Sequence, residues 1–390
     1  WMIPVYCPVK HDGTYDTTVP EWLRGINIWE ANQKIVDFLD KDGGLFYAHK
    51  FTHSYPHDWR GKTPVIFRAT EQWFVRVDQP TKREQKTLRQ MALQTASEPN
   101  TDRKGDRINF VPEWGRNRMR GMLESRPDWC ISRQRAWGLP IPAFLRPNGS
   151  TFMTPNSIRA VAKVVREKGS DIWFTAEPPE LLKYYDPASD QPLDYAGCAL
   201  EQLKKGPDIL DVWFESGSSW NAVMRERKLA WDPKADGKPA FVDLYLEGSD
   251  QHRGWFQSSL LPCLGATGYP PFATVLTHGF MVDKDGRKMS KSLGNTLNVE
   301  DLLKDFGADV CRWWVASLAY ENDIKVDRDF FGVAGESYRK VRNTLKFLLS
   351  NLADFTPACD ASGQAQPGHC VDLKLYPPAS IDAWVLGEYN

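Results

Sequence analysis

The sequence carries no excess charge of either sign: 49 Lys and Arg face 50 Asp and Glu over 390 residues, a net charge of −1. Such a balance sets up no global field able to draw the chain onto nucleic acid or an anionic surface, so any binding of that kind has to be local. It also has no run of about 18 apolar residues, the length that a membrane-crossing helix needs. No charged segment followed by an apolar stretch opens the N-terminus, WMIPVYCPVK, so no secretory leader is read there and a cytoplasmic location is expected. Cysteine is sparse. The seven, at 7, 130, 198, 263, 311, 359 and 370, are never as close as the about two to four residues that zinc sites and redox dithiols use. They read as free thiols, and no protein-bound zinc is expected. Asn148-Gly149-Ser150 has a glycosylation pattern but reads as a turn.

What is present is an ordinary core-forming composition, 42% hydrophobic and 25% charged. The length exceeds what one core usually organises, so two or three domains are expected. Ile28, Ala31, Ile35, Phe38 and Leu39 recur at helical spacing before Gly43-Gly44, which predicts a helix over 28–39. Residues 45–77 are rich in aromatic and β-branched types broken by Pro56 and Pro64, suggesting strands and irregular connections. Between 80 and 121 the chain turns polar, Lys82 to Arg89 reads as helix or linker, and no compact core is expected. Residues 145–206 read as an insertion with a helix over 155–168.

The informative part runs from Asp208 to Asp329. Residues 241–246, FVDLYL, form a nearly continuous apolar run, as for a parallel strand covered on both faces, with a helix starting near Ser249. Ala273 to His278 suggests a second buried strand, followed by a turn at Asp285-Gly286. Strand, helix, strand in this order predicts a doubly wound α/β sheet. Asn298 is placed to cap a helix from Val299, Gly307 separates it from a second over 308–318, and 335–352 reads as helix. A loop over 356–378 and a new helix near Ile381 follow.

Three constellations carry chemistry. Lys288-Met289-Ser290-Lys291-Ser292 sets two lysines among small polar residues after a turn, able to grip a triphosphate and stabilise charge as pyrophosphate leaves. A lysine-rich surface turn is the plain alternative. Glu247-Gly248-Ser249-Asp250-Gln251 stands where a parallel strand passes into a helix, the end at which open α/β sheets bind ligands. There Asp250 and Gln251 can bond ribose hydroxyls, and Glu247 an ammonium or adenylate hydroxyl. Asp211-Val212-Trp213-Phe214-Glu215-Ser216-Gly217 offers Trp213, which with Trp255 can bound a pocket for a branched aliphatic side chain. With 16 tryptophans in the chain, a core role for either is the commoner case. A fourth stretch, from Arg103 to Arg135, interleaves nine basic residues with Trp114 and Trp129, with Trp137 just beyond, a mixture that fits phosphate neutralisation with stacking or a solvated basic face.

Four ordered blocks resemble isoleucine–tRNA ligases of the class I aminoacyl-tRNA synthetase family: SRPDWCISRQRAWG over 125–138, the Trp213 motif, LYLEGSDQHRGWFQSSL over 244–260 and HGFMVDKDGRKMSKSLGN over 278–295. HSYPHDWRGKTPVIFRATEQWF over 53–74 resembles the region after that family's editing site. The resemblance implies a partial doubly wound, Rossmann-like catalytic domain, with a mixed α+β remnant of the editing insertion before it and a helical start after it. The implied divisions are 1–122, 123–330 with the insertion at about 145–206, and 331–390.

It implies that Glu247, Gly248, Asp250 and Gln251 contact the aminoacyl-adenylate, that Trp213 and Trp255 flank the isoleucine side chain, and that Lys291 binds ATP beside catalytic Lys288 and Ser290. His278 and the backbone at Met281 would lie near adenine, and Arg133, Arg135 and Trp137 would meet tRNA. ATP with Mg2+, L-isoleucine and tRNA(Ile) are the implied ligands, with no membrane and no obligate protein partner.

The family's His-x-Gly-His phosphate loop has no counterpart. His53-Ser54-Tyr55-Pro56-His57 lacks the glycine, and Asp58 and Gly61 stand where some members have cysteines, against a zinc site. The editing acid would lie upstream and the tRNA-reading helices downstream, so the chain is expected to be truncated at both ends. Editing matters because one methylene in an apolar pocket is worth roughly 1–3 kcal/mol, isoleucine against valine being the familiar example. A non-catalytic tRNA- or nucleotide-binding fragment and a valine- or leucine-specific ligase remain open as alternatives.

Overall fold

The computed structural model describes residues 5–58, 61–97, 107–190, 199–290 and 293–352. Its first helix, α1 (Ile28–Lys41), forms where expected. The Asn27 side chain accepts from the Trp29 amide at 3.0 Å, and Glu30 and Lys41 sit at the ends that suit their charge. Residues 45–77 depart from the expected strands. Among the described residues their strand pairing is confined to Phe74–Val75, antiparallel to Trp129–Cys130, plus a single bridge between His57 and Pro64. Phe46 and Phe67 stand exposed, so no buried face fixes a register there.

Residues 80–121, read from their charge as lacking a compact core, instead supply much of it. Helix α2 (Leu88–Ala96) opens with a capping box between Thr87 and Gln90, which turns Leu88, Met91, Ala92 and Ala96 inward. Strand β1 (Asn109–Val111) and helix α3 (Trp114–Glu124) add Phe110, Met119 and Leu123 to the same cluster. Charge misled because it sits on the outer face or is paired. Buried Arg116, for one, bonds Glu113 and the carbonyls of Ala96 and Ile108.

Beyond lie helix α4 (Pro155–Lys168), opened by a Thr154–Ser157 capping box, and a separate cluster of Phe144, Phe152, Val161, Val164, Trp173 and Leu181. Short helix α5 (Val212–Gly217) precedes the strand–helix–strand unit β2 (Val242–Gly248), α6 (Trp255–Thr267) and β3 (Phe272–His278). The sheet order is β1–β3–β2 and every pairing is parallel. It therefore recruits Asn109–Val111 from before the expected division at residue 122. Strand β2 is parallel as expected but not covered on both faces: Leu244 and Leu246 are 48% and 50% exposed. Among the described residues it pairs only with β3, which makes it the sheet's edge.

Helix α6 is apolar nearly all round, burying Phe256, Leu260, Leu261, Cys263 and Leu264, and ends at Gly268 in the left-handed region, φ 83°. Pro262 lies inside it and has no N–H to offer the Ser258 carbonyl one turn back. Helix α5 docks at that point. A Cβ on Gly217 would overlap the Ser258 carbonyl oxygen, so only glycine allows the approach.

Past β3, strand β4 (Met281–Val282) leads into the turn at Asp285-Gly286. Helix α7 (Val299–Phe306) is capped by Asn298 and ends at Gly307, as expected, and α8 (Ala308–Ala316) stops short of Leu318. Strand β5 (Ile324–Lys325) pairs parallel with β4. The last helix of the described residues, α9 (Arg328–Asn351), starts at Arg328 rather than Gly335, because Asp327 caps it by accepting from the Asp329 amide. The loop expected over 356–378 and the helix near Ile381 lie outside the described residues. Among the described residues no helix is long and apolar enough to cross a membrane.

Candidate active site at the strand ends

Parallel register decides what meets at the carboxyl end of the sheet. Thr277 pairs with Glu247 and His278 with Gly248, so Glu247, Gly248 and His278 stand side by side, with Met281 opening β4 just beyond. Gly248 is hemmed in: a Cβ there would lie 3.0 Å from Asp250 Oδ1 and 3.0 Å from Phe280 Cε1. The backbone can thus approach a ligand where a side chain could not. His278 is oriented by an Nδ1 contact with the Gly279 carbonyl at 2.8 Å.

After Gly248 the chain makes a 3-10 turn, Ser249–His252, before α6, rather than entering the helix directly. Gln251 caps α6, its Oε1 accepting from the Trp255 amide at 2.9 Å, while its Nε2 donates to Asp250 Oδ2 at 3.2 Å. His252 turns inward and is fully buried, with Nε2 2.9 Å from Thr277 Oγ1 and its ring stacked on Trp114. Burial, then the nearby Arg118 charge, pulls its pKa down to about 4, so it is neutral at physiological pH.

A cavity of about 360 Å³ opens beside this turn, lined by Arg126, Trp129, Trp213, Asp250, Gln251, Arg253, Gly254 and Ser258. The Trp213 ring reaches within 3.4 Å of where a Cβ of Gly254 would stand. Trp255 is tied to the same helix, its Nε1 donating to the Ser216 carbonyl at 3.0 Å, and its ring stacks on Tyr245. Of the two expected tryptophans, Trp213 thus lies on α5 and Trp255, on α6, bonds to α5 without lining the cavity, while Trp129 joins Trp213 in the cavity wall. A larger hollow of about 840 Å³, lined by Arg68, Gln72, Gln134 and Asp208 among others, contains none of the strand-end residues.

The lysine turn follows β4. Lys288 bridges Val282, Asn295 binds the Ser290 amide and the Lys288 carbonyl, and Asp283 gathers the base of the turn. Lys288 is exposed and Ser290 partly buried. Lys291 and Ser292 lie outside the described residues.

The arginine-rich stretch does not form one face. Arg103 and Lys104 lie outside the described residues, and Arg116 is buried as above. Arg118 Nε donates to the Ser249 carbonyl at 3.2 Å, and Arg126 Nη1 donates to Gln257 Oε1 at 2.7 Å. Of the residues expected to meet tRNA, Arg133 pairs with Asp211 Oδ2 at 2.8 Å, whereas Arg135 is exposed and Trp137 is 89% exposed.

Sequence reasoning assigned Asp211 and His252 no role of their own within their motifs and offered Arg126 only as part of a basic stretch. Asp211 is buried, caps α5 through the Trp213 amide, and accepts from Trp129 Nε1 and Arg133. Its position directly before Val212-Trp213 was a capping signal in plain view.

A family model described as tRNA synthetases class I (I, L, M and V) matches residues 14–327. Curated relatives named isoleucine–tRNA ligase include one from Acinetobacter baylyi, 44% identical over 91% of this chain and 34% of its own length. Another is from Aquifex aeolicus, 44% identical over 98% and 36%, and a third from Thermotoga maritima, 42% identical over 99% and 38%. The chain thus spans about a third of the length of the relatives it matches. Because that family model spans residues 14–327, which hold the parallel strand–helix–strand unit with its strand-end glutamate and glycine, the chain belongs to the class I tRNA synthetases.

Proposed function

We propose that the protein carrying this chain is an isoleucine–tRNA ligase, which joins L-isoleucine to ATP as isoleucyl-adenylate and passes the isoleucyl group to tRNA(Ile). The observation that carries this reading is the register Glu247–Thr277 and Gly248–His278, which sets the nucleotide-binding candidates beside the cavity of Trp213, Asp250 and Gln251. The relatives' names favour isoleucine over the valine and leucine alternatives, and a ligase over a binding fragment.

In the reaction a carboxylate oxygen of isoleucine attacks the α-phosphorus and pyrophosphate leaves, with no covalent enzyme intermediate. Catalysis then rests on positioning and on charge stabilisation. Glu247, Gly248, Asp250 and Gln251 hold the adenylate, and His278 and the Met281 backbone face adenine. Trp213 and Trp255 bound the isoleucine side chain, and Lys288, Ser290 and Lys291 meet the triphosphate. Mg2+ arrives with ATP as part of the substrate. Arg135 and Trp137 are the residues left to meet tRNA, since Arg133 is engaged with Asp211. The divisions near 122 and 330 belong to the same proposal, with Asn109–Val111 lent to the catalytic sheet, as does a cytoplasmic location.

The test is ATP–pyrophosphate exchange by the full-length protein with isoleucine, valine and leucine compared at equal concentration. Isoleucine should support the highest kcat/KM. Equal or better use of valine or leucine refutes the assignment.

A further inference from the structure

Asp283 is an exception among the acidic residues near the lysine turn, because its carboxylate is nearly enclosed, with 9% of the side chain exposed. Four donors converge on it: Asn295 Nδ2 at 2.9 Å, the Arg287 amide at 2.8 Å, Arg287 Nε at 3.0 Å and the Asp285 amide at 3.0 Å. The Asn295 side-chain bond, ahead of the Arg287 amide, holds its pKa down at about 2, so the group is ionised wherever the protein works.

Arg287 is two-thirds exposed, so its charge adds little, and the half-buried amide of Asn295 is the partner with consequence. That one amide spans the turn. Its Oδ1 accepts from the Ser290 amide at 2.8 Å, and its Nδ2 reaches the Lys288 carbonyl at 3.2 Å as well as Asp283.

The base of the turn is fixed independently. Val282 accepts from the Val326 amide at 2.9 Å beside the β4–β5 pairing, and Met289 and Leu297 pack on the cluster of Leu302, Trp314 and Phe331. Asp283 and Asn295 add a polar tie to this base, around the backbone on either side of Met289.

We infer that Asp283 and Asn295 form a clasp that positions the lysine turn for adenylate formation, acting through the backbone of Lys288 and Ser290 rather than on the nucleotide. The inference rests on the ligase reading above. Both are positioning residues: ordering the turn beforehand removes backbone entropy that ATP would otherwise have to overcome in reaching the transition state. The loss should fall on the rate of activation and spare the isoleucine pocket.

The experiment uses the full-length protein and four variants: Asn295→Ala, Asn295→Asp, Asp283→Asn, and the exchange Asp283→Asn with Asn295→Asp. Readouts are kcat and KM in ATP–pyrophosphate exchange, isoleucine affinity by calorimetry, and hydrogen exchange of the turn. Asn295→Ala should lower kcat by about 10–100-fold, the scale of a misplaced reacting group, with isoleucine affinity unchanged and the Ser290 amide exchanging faster.

Asn295→Asp, which sets two carboxylates face to face, should be at least as slow. The exchanged pair restores an amide-to-carboxylate bond and should recover at least about tenfold of that loss. Wild-type kcat in Asn295→Ala, no recovery in the exchanged pair, or a fall in isoleucine affinity parallel to the fall in kcat would each overturn the clasp. A wild-type protein without isoleucine-dependent exchange would instead overturn the ligase reading, and the clasp's role with it.

Discussion

Trp255 and Tyr245 lie face to face, ring centroids 4.0 Å apart and planes 10° apart, so a residue at the start of α6 is locked to the middle of β2. The Tyr245 hydroxyl is itself buried, and burial raises its pKa. Replacing Trp255 with Phe keeps the stacked face and removes the donor to the Ser216 carbonyl. Urea denaturation should show a loss of about 1 kcal/mol, the net worth of one such bond. On the proposed function, isoleucine titration should also show weaker binding, since α5 and Trp213 lose a tie.

Asp211 holds three donors at once: the Trp213 amide at 3.1 Å, Trp129 Nε1 at 3.2 Å and Arg133 Nη2 at 2.8 Å. Asp211→Ala removes a helix cap and leaves a guanidinium and an indole short of a partner, which should cost about 2–4 kcal/mol in chemical denaturation. Asp211→Asn, which keeps the cap, should cost less. Equal losses in the two variants would show that the Arg133 pair, not the cap, dominates.

His252 makes stability depend on pH with a definite sign. Its folded pKa of about 4 lies below the ordinary 6.5, so the unfolded chain takes up a proton that the native state refuses. The contribution is therefore complete above about pH 6.5 and is lost as pH falls toward about 4. Denaturation midpoints across that window should slope for the wild type and flatten for His252→Asn. The charged group acting on the ring is Arg118, so Arg118→Gln should lessen the slope.

Gly217→Ala would force a methyl into the Ser258 carbonyl. An overpacked contact of this kind costs about 1–3 kcal/mol, and more where backbone must yield. Denaturation should place this variant at the upper end, whereas Gly237→Ala, where a Cβ meets nothing, should show only the smaller strain of its left-handed backbone.

How far the sequence led depends on the range of the interactions involved. Helix α1 was legible from its period and the glycines after it, and α7 from the Asn298 cap and Gly307, signals that lie within or next to the element. Strands β2 and β3 were legible from their apolar runs, but the edge position of β2 was not, since it depends on which strands flank it. Strand β1 has three residues and no local signal; its pairing with β3 bridges more than 160 positions. The place of Glu247 and Gly248 at a strand end was legible because the apolar run before them predicts its own geometry. His252 and Asp211 escaped because their importance comes from partners far along the chain, Thr277 for one and Trp129 for the other.

The meeting of Gly217 with the turn of α6 that holds Pro262 has a bearing on redesign. Two main chains, not two side chains, set the spacing there, and Ser258 and Trp213 on either side of it both face the cavity. Trimming Trp213 would enlarge the cavity but leave that main-chain spacing unchanged. If the cavity holds the amino acid as proposed, admitting a broader one would require shifting helix α5.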